Sequence, residues 1–234
     1  MAARIAMLFA AVLGVLVAFG AAAPDTQPSA LRTMASAAAA LLAPLFWPGV
    51  AATRGATARR LFVWSAAACA AAALPMWALA RAPQPLPDVL QSCALLALML
   101  LASHALAAML DGRGSRLPGG PGDAREGAGR AVALVLIVLG SMPFWLGPAA
   151  ELLSARHAQA IDTVLGLSPL THLAVASGND LLRNPWLYQH SNLSGLQFEY
   201  PTLTSLAWFY VALCLLLGVL AAKSARPDDR MERT

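Results

Sequence analysis

Six stretches of this chain are long, apolar and free of Asp, Glu, Lys and Arg: residues 5–22, 34–52, 61–80, 89–110, 131–148 and 203–222. A helix needs about 20 mostly apolar residues to cross the hydrocarbon core, and shorter ones are accommodated by local thinning of the bilayer. Six such runs in 234 residues leave little chain for anything else. Only 12% of residues are charged, about half the share of a soluble domain. With 59% hydrophobic residues and a mean hydropathy of +0.63, the chain needs a lipid bilayer as solvent. The expected fold is an all-α membrane protein, a single domain over 1–234 with six transmembrane helices.

Charge placement gives the orientation independently of hydropathy. With both ends inside, the cytoplasmic segments hold Arg4, then Arg54, Arg59 and Arg60, then Arg113, Arg116, Arg125 and Arg130, then Lys223, Arg226, Arg230 and Arg233. These are 12 of the 16 basic residues. Only Arg32, Arg81, Arg156 and Arg183 fall on the other side, as the positive-inside rule requires. The net charge of +4 thus reads as topology rather than as a nucleic-acid surface. The first run has two readings. It is an uncleaved helix, or a signal peptide ending near Ala21-Ala22-Ala23, and the other five spans keep their orientation either way. Usage rich in alanine and arginine suits a GC-rich bacterial genome, which would place the chain in the inner membrane.

The connections differ in character. Residues 111–130, rich in Gly, Pro and charge, read as a flexible cytoplasmic linker, and the proline-rich 81–88 as a stiff exported one. The exported segment 149–202 carries the most information. Ala149–Leu165 alternates apolar and polar residues as an amphipathic helix at the membrane face would. Ser168 before Pro169 is a good N-cap with proline in the first helical position, so a short helix is expected from Pro169 to Ala176, stopping near Gly178-Asn179. Trp186 and Tyr188 follow, as interfacial aromatics.

A pair of short exported or re-entrant helices, opening on Ser168-Pro169-Leu170-Thr171-His172-Leu173 and followed by a final long span, resembles the membrane subunits of type-2 ABC exporters. The resemblance implies a permease subunit, in oligomeric form, that moves a hydrophobic or amphipathic substrate with energy from a separate cytoplasmic ATPase. It also implies that the ATPase docks on the cytoplasmic loop after the second helix, here Thr53–Arg60 with Arg54, Arg59 and Arg60.

The chemistry absent from the chain points the same way. There is no G-x-x-x-x-G-K-[S/T] phosphate loop, no G-x-S-x-G and no H-E-x-x-H, so neither nucleotide hydrolysis nor another enzymatic activity is expected. Proton- and sodium-driven carriers rely on intramembrane carboxylates or broken-helix ion sites, and no run contains a carboxylate. His104 is the one side chain within a span whose ordinary titration range is near neutral pH. It is either a ligand or proton relay, or a neutral imidazole bonded between helices. His157, His172 and His190, with Trp186 and Tyr188, offer a haem or metal alternative, but their spacing fits no standard ligand motif. No cofactor is expected, and His172 reads as a structural part of its turn. Cys69, Cys93 and Cys214 lie in apolar runs as small buried hydrophobes. Gly14, Gly20 and the alanine-dense 66–73 offer smooth faces for close helix packing. The second functional class is a membrane accessory or assembly protein without transport activity, whose exported segment docks a partner.

Overall fold

A computed structural model describes residues 2–22, 27–46, 57–79, 85–114, 121–145, 158–180 and 200–224. The described elements are helical: α1 (Ala2–Ala22), α2 (Pro28–Leu42) with a 3-10 turn at Ala43–Phe46, α3 (Thr57–Leu79), α4 (Leu86–Gly114), α5 (Pro121–Trp145), α6 (Ala158–Leu167), α7 (Pro169–Ala176) and α8 (Leu203–Ser224). Five helices among these residues are long and apolar enough to cross a membrane: Ala2–Ala22, Pro28–Phe46, Phe62–Leu79, Leu86–Leu110 and Leu203–Leu220. They fit a multi-pass membrane protein. The sixth expected span corresponds to α5, whose apolar part, Gly127–Pro143, is shorter than the other five.

Three boundaries differ from the sequence reading, each for a local reason. The second helix starts at Pro28 rather than 34, because proline in the first helical position needs no N–H partner and its φ is already helical. It ends as an α-helix at Leu42 because Pro44 cannot continue the hydrogen-bond ladder, and the chain tightens into the 3-10 turn. The 111–130 linker is largely helical: α4 runs on to Gly114 and α5 begins at Pro121, in a second proline-led start.

The core is a lipid-like interior of Leu, Val, Met and Ala. In α1, Leu8, Val12 and Leu16 form a buried stripe at four-residue spacing, packed on α2 and α3. α2 buries nearly its whole surface as an alanine-rich rod between α1, α3, α4 and α7, because small side chains let neighbours approach on every side. In α3, Ala68, Ala71 and Ala72 are buried, as the smooth-face expectation required. Gly14 and Gly20 are not used that way, since a Cβ at either meets nothing within 4 Å. The long contact between α4 and α8 runs parallel: Cys214 Sγ reaches the Leu98 carbonyl (3.6 Å) at mid-helix, and Tyr200, just ahead of α8, donates to Asp180 Oδ1 (2.8 Å) beside the end of α7 that meets Ser92 near the start of α4. Large apolar side chains face outward on the rim, among them Phe62, Leu90, Leu134 and Trp208, as a lipid-facing surface would have.

One glycine does require its lack of a side chain. A Cβ at Gly129 on α5 would lie 2.9 Å from the Pro44 carbonyl oxygen, a backbone atom that cannot step aside. Gly129→Ala is therefore expected to destabilise the solubilised protein by about 1–3 kcal/mol through overpacking. Gly127→Ala, two residues away where nothing stands within 4 Å, should instead stabilise by ~0.5 kcal/mol through helix propensity. Thermal unfolding of the two variants side by side checks the pair. Equal melting temperatures would contradict the close approach.

Candidate functional site: a short helix held inside the bundle

The residues that do something unusual for a membrane bundle gather around α7. This helix is only eight residues long, yet it contacts α2, α4, α5, α6 and α8. Pro169, Leu170, Thr171, His172, Leu173, Ala174 and Ala176 are all buried. A short helix has many end groups per turn, and away from water each must find a partner.

At its C-terminal end the last carbonyls meet donors from the turn that follows and from two neighbouring helices. Gly178 has φ +64°, a conformation that costs glycine nothing and other residues about 1–2 kcal/mol. It lets the chain fold back in a Schellman turn: Gly178 N–H donates to Val175 O (3.1 Å) and Asn179 N–H to Ala174 O (2.9 Å). The Ser92 hydroxyl on α4 lies within hydrogen-bonding distance of Ala176 O (3.1 Å), of the Asp88 carbonyl one turn back (2.8 Å) and of Ser177 Oγ (3.3 Å), and shares its one proton among these acceptors. Arg32 on α2 donates twice to Ser177 O, from Nη2 (2.8 Å) and Nε (3.2 Å). The same guanidinium pairs with Asp88 Oδ2 at 3.0 Å, and Asn179 Nδ2 donates to Thr33 Oγ1 (3.2 Å). Residues from the beginnings of α2 and α4 thus meet the end of α7 in one polar cluster. We call this the upper end of the bundle.

The physics of the cluster is that of a cation at a helix C-terminus. Arg32 is only 4% exposed, so its charge is tolerable only when paired and fully hydrogen-bonded. Asp88 supplies the counter-charge and keeps about a third of its side-chain surface in contact with the outside. The carbonyl end of α7 supplies a matching partial negative charge.

The N-terminal end is built differently. Ser168 does occupy the N-cap position with an extended backbone, as the sequence implied, but its side chain caps nothing. Its hydroxyl instead makes a long 3.4 Å contact to Gly140 O on α5. Pro169 at the first position has no N–H to satisfy. One turn further on, His172 is bonded at both ring nitrogens: Nε2 to Gly166 O (2.8 Å) and Nδ1 to the Tyr210 hydroxyl on α8 (2.9 Å). A carbonyl only accepts, so Nε2 carries the proton and Nδ1 accepts from Tyr210, an assignment that follows from the partners. Tyr210 and Phe209 also present their rings edge-on to the imidazole.

Two apolar clefts flank α7. One, of about 270 Å³, lies between α2, α4, α5 and α7 and is bordered by Met34, Leu41, Ile137, Leu170 and Leu173. The other, of about 180 Å³, lies towards α8 and is bordered by Leu106, Val135, His172, Tyr210 and Leu213. Met99, Leu136 and Pro169 line both, so the inner end of α7 is part of the partition between them. No charged residue lines either.

Of the residues singled out in the sequence, the structure brings Ser168, Pro169 and His172 together on α7. With both ring nitrogens engaged, His172 acts structurally in this arrangement, and no group of three or more metal-ligating side chains occurs among the described residues. His104 is buried on α4 and borders neither cleft. His157, Trp186, Tyr188, His190 and Arg54 lie outside the described residues. Arg59 and Arg60 fall in the first turn of α3, with their side chains outside what is described. The sequence reading missed Arg32, Asp88, Ser92, Ser177, Asn179 and Tyr210. The usable signal was Gln27-Pro28, which starts α2 early enough to carry Arg32 into the bundle. No protein-family model matches the chain, and neither a curated protein nor a solved structure does.

Proposed function

We propose that this chain is the permease subunit of an exporter of the type-2 ABC kind, moving a hydrophobic or amphipathic substrate across a bacterial inner membrane. In this reading both chain ends face the cytoplasm, α5 is the sixth span, and a separate ATPase supplies the energy. The observation that carries it is α7: a short buried helix just ahead of the last long helix, walled by two uncharged clefts. A bundle that served only as an anchor would not need a polar-ended helix inside it, since each buried end group has to be matched by a dedicated partner. The clefts have the character of a path for an apolar chain, because an unpaired charge there would lose its solvation without recompense. The sequence holds no phosphate loop, so the work must come from elsewhere.

Two measurements test the reading. Affinity purification of the full chain from its native membrane is expected to bring down a nucleotide-hydrolysing partner, whose activity rises on co-reconstitution in vesicles. Recovery without an ATPase, and no stimulation of one encoded beside it, would favour the non-transporting accessory protein instead. For the orientation, a membrane-impermeant maleimide should label Cys introduced at His190 and spare Cys introduced at Gly120 in intact cells. The reverse pattern would overturn the orientation.

A further inference from the structure

We propose that α7 is a hinged flap, with Arg32 as its pivot and the His172–Tyr210 hydrogen bond as its latch. The two ends of this helix are held by unequal means. At the upper end, two bonds from one guanidinium, an ion pair, a serine hydroxyl and a Schellman turn converge within one turn. Charge-assisted bonds are about twice as strong as neutral ones, and breaking this set would strand a buried cation. At the inner end the N-cap hydroxyl makes only its 3.4 Å contact, and proline contributes no N–H. Among the described residues, the short side-chain bonds that hold the inner half are those of His172, both neutral.

Those two bonds differ in what a movement would do to them. Gly166 belongs to α6, joined to α7 through Ser168, so the bond from Nε2 travels with the flap. Tyr210 belongs to α8, which is packed along α4 and stays behind. Swinging α7 away from α8 therefore has to break one neutral hydrogen bond, while the Ser168 contact to Gly140 lies on the side towards which the helix moves. There is room for it. The cleft of about 270 Å³ lies on the α2–α5 side, where Leu170 and Leu173 already point. Eight helical residues span about 12 Å, so a rotation of roughly 20° about Ser177 carries the inner end about 4 Å. That movement closes the larger cleft and widens the one beside α8, whose wall includes His172 and Tyr210. The inference does not depend on an ATPase partner, because it concerns only how this helix is held.

The test uses the full chain in nanodiscs, with Cys69, Cys93 and Cys214 replaced by alanine. Spin labels go on Thr163→Cys of α6 and Trp208→Cys of α8, both exposed positions, and pulsed EPR gives the distance distribution. Leu90→Cys on α4 with Trp208→Cys is the reference pair, across the α4–α8 contact. Tyr210→Phe removes the latch and keeps the ring. It is expected to raise the population of a longer 163–208 distance roughly fivefold, the value of one neutral hydrogen bond in an equilibrium, and to leave 90–208 unchanged. An unaltered 163–208 distribution would overturn the proposal. So would equal broadening of both pairs, which would mean general loosening rather than a flap.

Discussion

Arg32→Ala is expected to lower the unfolding free energy of the solubilised protein by about 3 kcal/mol, the largest single loss we foresee in the described chain. The substitution removes two donors from Ser177 O, leaves that carbonyl buried at the end of α7, and strips Asp88 of its counter-charge. Because Asp88 is partly exposed, water relieves part of the carboxylate's penalty, which keeps the figure at the low end of the range for broken buried pairs. Arg32→Lys should recover less than half of the loss. An ammonium restores the charge but not the planar fork that bonds a carbonyl and a carboxylate at once. Replacing Asp88 by Asn should cost less than Arg32→Ala, since the guanidinium keeps its bonds to Ser177 O. Thermal unfolding in a mild detergent, followed by loss of the monodisperse chromatographic peak, measures all three. Arg32→Ala within a degree or two of the parent would mean the cluster is not a support.

Gly178→Val comes second, with an expected loss of about 2–3 kcal/mol. The space itself is not the obstacle, because a Cβ there meets nothing nearer than Arg32 Nη2 at 3.9 Å. The obstacle is the backbone: φ of +64° is open to glycine and strained for a β-branched residue. Asn at this position, more at ease in the left-handed region, should cost under about 1 kcal/mol. Combining Gly178→Val with Arg32→Ala gives a sharper test. Both changes unseat the same end of α7, so the double variant should lose clearly less than the two losses added together. Strict additivity would show that turn and guanidinium are not holding one element.

Hydropathy located the long helices because it sums over many residues, and the Ser168-Pro169 step located α7 because its signal is local and steric. What the sequence could not show was depth. Arg32 reads as an interfacial charge when the span is counted from the first uninterrupted apolar residue. Only the helix start at Pro28 reveals that it faces inward, towards α7. Nor did Tyr210 stand out among the aromatics of the last span, since its partner lies 38 residues earlier in the chain. Ser168 teaches the converse lesson. The cap position was legible, but its hydroxyl turned to α5 once another helix stood within reach.

The parallel pairing of α4 with α8 also has a consequence for the order of events during synthesis. Cys214 and Leu98 are 116 residues apart, so the neighbour α4 packs against most extensively emerges from the ribosome long after α4 itself. Until then α7 can settle against α2 and α4, with Arg32 already seated on Ser177, while His172 still lacks Tyr210. Contacts so distant in sequence close late, after the loop entropy between them has been overcome. Helix α8 therefore acts as a closing stave, completing the wall of the smaller cleft only after α4, α5 and α7 are already in place.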